Sequence, residues 1–61
     1  MKIRDVIKQL EKEGWVLART RGSHRQFKHP WISGVVTVPG KLGDNLAPGT
    51  LNSIFKQAGW K

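Results

Sequence analysis

The chain has no cysteine. No disulfide can staple it, and no thiolate can hold zinc. With only two histidines, a structural metal has too few ligands to draw on, and neither metal nor cofactor is expected. Long apolar runs are missing as well. Nothing approaches the roughly 18 residues of a membrane span. The opening MKIRDVIKQL alternates charge with apolar residues, unlike the continuous apolar stretch of a signal peptide. The expectation is a cytoplasmic protein that does not meet a membrane. Nucleotide-cradling glycines are absent too: Gly34, Gly40, Gly43 and Gly49 are scattered and match no phosphate-binding pattern. Beyond the first helix the only acid is Asp44, so no carboxylate pair is available for hydrolase chemistry.

Acid is scarcest where base is richest. Between Gly14 and Gly43 there is no Asp or Glu, while Arg19, Arg21, Arg25, Lys28 and Lys41 lie there and give that stretch +5. The rest of the chain, six basic and four acidic residues, carries +2 of the net +7. A one-sided basic field attracts polyanions by releasing their counterions, so nucleic acid is the first partner to consider. The plain alternative is a soluble basic surface with no specific partner.

At 61 residues one domain, 1–61, is the sensible count. A domain so small buries only about 60% of its unfolded surface and depends on a well-patterned core. Ile3, Val6, Ile7 and Leu10 recur at helical spacing, and Gly14 ends that helix. Leu51, Ile54, Phe55 and Ala58 repeat the pattern up to Gly59, with Pro48 suited to the first turn. Between the helices the period changes to two. Residues 15–20 and 23–29 read as strands about a turn at Arg21-Gly22, Pro30 ends the second, and 34–38 is a third. The order α-β-β-β-α with short turns predicts an α+β fold: a three-stranded antiparallel sheet with both helices on one face and the other face open.

Strand parity sorts the side chains. Phe27 is the inward residue of the second strand, so His24, Gln26 and Lys28 point outward; Val36 and Val38 point in and Thr37 out. The first strand is ambiguous, since Arg19 shares parity with Trp15 and Leu17. Arg25 shares parity with Phe27, which a simple two-residue period does not explain; a place at the sheet margin with Ser23, or a bulge, would resolve it.

His24 is the side chain with the most chemistry available. An imidazole titrates near neutral pH, about 6.5 unperturbed. A phosphodiester held by arginines beside a neutral imidazole is an arrangement for RNA cleavage, in which the base takes a proton from the ribose 2′-OH and cations stabilise the developing charge. No metal is required. A bare phosphate contact is the competing reading of His24. His29 precedes Pro30 and is expected to serve the turn, and five residues from His24 it faces the other way on a regular strand. Trp31 and Ile32, in HPWISG, are expected to cap one end of the core, with base stacking or partner docking as alternatives. Trp15, Phe55 and Trp60 are expected at the core or its edge.

An opening helix ending in EGW, then RGSHRQFKHP, VTVPG and PGTLNSIFKQAG, at these spacings, resembles the HicA (YcfA-like) family of toxins, small mRNA interferases of type II toxin–antitoxin systems. The resemblance covers nearly the whole chain, and KLGDNLAPG is its least typical stretch. It implies a fold like that of double-stranded-RNA-binding domains, ribosome-independent endoribonuclease cleavage of mRNA, a catalytic role for the histidine of G-S-H, which is His24, and a HicB-like antitoxin that covers the active site. RNA-binding roles for Arg19, Arg21, Ser23, Arg25 and Lys28 rest on charge, position and motif. Two other classes fit the topology: a non-catalytic double-stranded-RNA-binding module, and a protein-interaction subunit whose basic sheet meets an acidic partner. Against the first, the last helix begins APGT, with no base at its start.

Overall fold

Ile3, Val6 and Leu10 are all buried, on one side of a helix α1 (Ile3–Lys12), in the computed structural model, which describes residues 1–60. Strands β1 (Val16–Arg21), β2 (His24–Lys28) and β3 (Val36–Val38) follow, and helix α2 (Pro48–Ala58) closes the order. The sheet is antiparallel with spatial order β1-β2-β3, so the α-β-β-β-α expectation holds. Element ends differ from the expected ones by one or two residues. The helix stops at Lys12 because Gly14, at φ +97°, turns the chain, while Trp15 N–H still donates to the Leu10 carbonyl.

One core joins the layers. Phe27 stands opposite Val36 across β2 and β3, and Val38 follows on the same side. These three pack with Ile3, Val6 and Leu10 of α1, Ile54 and Ala58 of α2, and with Trp15 and Leu46. Both helices therefore cover one face of the sheet. They cover β2 and β3 but not β1, whose six residues are all exposed.

Neither helix starts with a capping side chain. The loop 39–46 does that work for α1: Ile3 N–H donates to the Asp44 carbonyl at 2.9 Å and Arg4 N–H to the Leu42 carbonyl at 3.2 Å. Free N–H groups at a helix start are costly when unpaired, so this loop is part of the helix's support. Gly40 is the tight point of the same loop. Its φ is +89°, and a Cβ there would sit 2.6 Å from Ile3 Cδ1, an atom of a residue only 2% exposed. A left-handed conformation costs an L-residue roughly 1–2 kcal/mol, and the buried isoleucine cannot swing away freely. Gly40→Ala is therefore expected to lower the thermal midpoint by about 4–16 °C for a domain of this size. Gly43→Ala, where φ is ordinary and nothing lies within 4 Å, is the control and should shift it little. Equal shifts in a calorimetric comparison would rule the Gly40 strain out.

Candidate nucleic-acid interface

The candidate site is built by the pairing of β1 with β2. Arg21 stands opposite His24, Arg19 opposite Gln26 and Val16 opposite Lys28. Directly opposed residues share a face, with Cβ atoms about 4.5–5.5 Å apart. Arg19, Arg21, His24, Gln26 and Lys28 therefore stand together on the side away from the helices, joined by Thr37, which pairs with Gln26 from β3.

A bulge makes this possible. The register slips between Leu17 and Arg19, leaving Ala18 as the extra residue of β1. In a regular strand Arg19 and Arg21 would share the side of Leu17, the partner of Phe27. The extra residue reverses them onto the side of His24. The ambiguity of β1 parity is thus resolved in favour of one continuous basic face. The turn also moves by one residue from its expected place. It is Gly22-Ser23, with φ +60° at Gly22 and no positive φ at Ser23, as a two-residue hairpin with glycine in first position requires. This shift lets β1 run on to Arg21 and sets that arginine beside the histidine. His24 is exposed on this face.

Two residues grouped with this face by their place in the sequence lie elsewhere. Arg25 is on the helix side, next to Val38, half-buried, and its Nη1 donates to the Gly40 carbonyl at 2.8 Å. A sheet margin was one expected place for it, and the hydrogen bond to the 39–46 loop is the physical reason for its inward parity. Ser23 is exposed in the turn itself and not in a strand. Gln26 and Thr37 add polar side chains in the middle of the face, and their outward parity was the signal that found them.

His29 has the structural place expected of it. Its Nδ1 accepts from Trp31 N–H at 3.1 Å and Ile32 N–H at 3.3 Å. Its Nε2 lies 2.9 Å from the Glu13 carbonyl. An Nδ1 that accepts leaves the proton on Nε2, which then donates to Glu13. The ring meets Trp15 edge-on at 5.2 Å. His29 thus ties the end of α1 to the β2–β3 turn and is not available to the open face.

The expected capping role of Trp31 is not what the structure shows. Trp31 is 88% exposed, and the end of the core is closed instead by Trp15, at 2%. The two bonds to His29 hold the turn in a shape that presents the indole to solvent. Phe55 and Trp60 meet edge-on at 5.1 Å, both half-buried at the core margin. Among the described residues no three His, Asp or Glu side chains come together where a metal ion could be held, and no helix is long and apolar enough to cross a membrane.

Comparison with known families gives one match of nearly full length. A family model described as HicA toxin of bacterial toxin-antitoxin matches residues 3–60. The chain belongs to the HicA toxin family. No curated protein matches it. HicA membership makes it the toxin partner of a toxin–antitoxin pair, so an antitoxin partner follows from the family. The segment that carried the HicA resemblance, RGSHRQFKH, forms the end of β1, the turn and β2, and it supplies His24 and its opposed arginine.

Proposed function

We propose that this HicA-family chain is a metal-independent endoribonuclease that cleaves mRNA on the open face of its sheet, with His24 as general base. The observation that carries this reading is the opposition of His24 and Arg21 on a basic face that the bulge at Ala18 completes with Arg19. RNA phosphates lie along Arg19, Arg21 and Lys28. Neutral His24 takes the proton of a ribose 2′-OH, and that oxygen attacks the adjacent phosphorus. The P–O5′ bond breaks, and the departing oxygen takes up a proton. One product ends in a 2′,3′-cyclic phosphate and the other in a 5′-OH. Arg21, beside His24, stabilises the charge that builds on the phosphoryl oxygens. DNA lacks the 2′-OH and is spared. A HicB-like antitoxin silences the enzyme by covering this face, and a basic surface with no acid in its own stretch of chain suits an acidic covering segment.

The test is a labelled single-stranded RNA incubated with purified protein and EDTA, with its ends identified on a gel. Cleavage to a cyclic phosphate end is expected. Intact RNA that is nonetheless bound would reassign the chain to the non-catalytic binding module. The same experiment reads the phosphate contacts through salt. Three cations on the face correspond to a slope of about −2 in log affinity against log salt for a single strand. Affinity for an uncleavable RNA should then drop about 20-fold from 50 to 200 mM salt. Arg21→Ala should flatten that slope and Arg25→Ala should not, because only Arg21 stands on the open face. Equal slopes for both variants would count against this assignment of faces.

A further inference from the structure

Four of the five aromatic side chains are spoken for and one is not. Trp15 and Phe27 are buried in the core, and Phe55 and Trp60 pair with each other at its margin. Trp31 is 88% exposed, yet it is held in a built turn: Nδ1 of His29 accepts its N–H at 3.1 Å, and the two rings lie 5.7 Å apart. An exposed large aromatic on an ordered turn is a surface that binds with little ordering cost, and stacking is what it offers.

Its neighbourhood says what would stack on it. Trp31 follows Lys28 by three residues, a span of at most about 10 Å, and Lys28 ends the line that runs back through Gln26 to His24 on the open face. From His24 to Lys28 is roughly another 13 Å of strand. An exposed indole within that reach of a basic track is a pairing by which proteins hold single-stranded nucleic acid: cations follow the phosphates while an aromatic face takes a base. Nothing near it in the chain is acidic, since the acid-free stretch from Gly14 to Gly43 contains the whole turn. Ile32 and Val35, in the same connection between β2 and β3, are also exposed, at 42% and 38%.

We propose that Trp31 is a stacking platform for an RNA base several nucleotides away from the bond cleaved at His24, so that the substrate is single-stranded along the full β2 track. The proposal rests on the reading of the open face as the RNA site, and it adds a substrate-positioning residue and a strandedness requirement to it. An RNA duplex cannot present an unstacked base to the indole, whereas a single strand can.

The test uses a 2′-O-methyl RNA oligonucleotide, which has no free 2′-OH to cleave, titrated at low salt into wild type, Trp31→Ala and Trp31→Phe, with each variant's fold checked by circular dichroism. Trp31→Ala is expected to weaken binding about 10-fold or more, and Trp31→Phe to keep most of the affinity. Tryptophan fluorescence gives a second readout, because Trp31 is the one highly exposed tryptophan and a stacked base quenches it. Wild type should be quenched on binding and Trp31→Phe should not. Wild-type affinity retained by a folded Trp31→Ala overturns the stacking proposal and leaves the basic face standing. The same result accompanied by loss of neutralisation by an antitoxin would assign the indole to a protein contact instead. Wild type that binds no RNA at low salt removes the RNA reading of the face itself, a result distinct from either.

Discussion

His24→Ala is expected to abolish RNA cleavage and growth arrest while the protein stays folded and still binds RNA. A positioned general base contributes typically 10²–10⁴-fold to a rate, so the loss should exceed about 100-fold. The fold should not suffer, because His24 is exposed and surface substitutions away from caps and cores fall within about 0.5 kcal/mol. Arg19, Arg21 and Lys28 remain to hold the phosphates, so affinity for an uncleavable RNA should change far less than the rate. The measurement is single-turnover cleavage of a labelled RNA beside equilibrium binding and a melting curve, all on wild type and variant. A folded variant that still cleaves within a few-fold of wild type would sink the general-base assignment. A variant that loses binding and cleavage in proportion would leave His24 as a phosphate contact only.

The clarity of that experiment depends on a feature that cannot be read from residue patterns. The helical stripes Ile3, Val6, Ile7 and Leu10, and Leu51, Ile54, Phe55 and Ala58, were visible as apolar spacing; five of these eight residues are buried, and Ile7, Leu51 and Phe55 are half-buried at the core margin. The parity of Phe27, Val36 and Val38 likewise placed them in the core. Period counting failed at β1 because a bulge is one extra residue with no side-chain signature of its own. Ala18 is small and unremarkable, yet it decides on which side Arg19 and Arg21 stand. Arg25 was ambiguous for a related reason. Its partner, the Gly40 carbonyl, lies 15 residues further along the chain, and local spacing carries no information about such a bond. The same holds for the start of α1, whose N–H groups are met by carbonyls of Leu42 and Asp44. The stretch KLGDNLAPG thus has an architectural task that only the folded chain reveals.

Phe27→Ala is expected to remove the fold altogether, and with it the toxicity, by a route unlike that of His24→Ala. Phe27 is 1% exposed on the central strand, with Val36 opposite it on one side and Leu17 on the other. Truncating a buried phenylalanine costs about 3–5 kcal/mol, from lost transfer energy and the cavity left behind. A single core in a domain below about 70–80 residues rarely supplies more than that in total. The two magnitudes are the same, so the variant should show no cooperative thermal transition and little native circular dichroism at 25 °C. If it still melts cooperatively less than about 10 °C below wild type, the core does not depend on Phe27 as its burial suggests. Leu17→Ala is the internal comparison. Leu17 shares the face of Phe27 but is 48% exposed, because the helices stop short of β1. Its loss should cost much less. An antitoxin that binds only the folded chain would pull part of the Phe27→Ala population back by mass action, whereas it can restore no rate to His24→Ala. Melting the two variants with and without the partner therefore separates a chain that has lost its fold from one that has lost only its base.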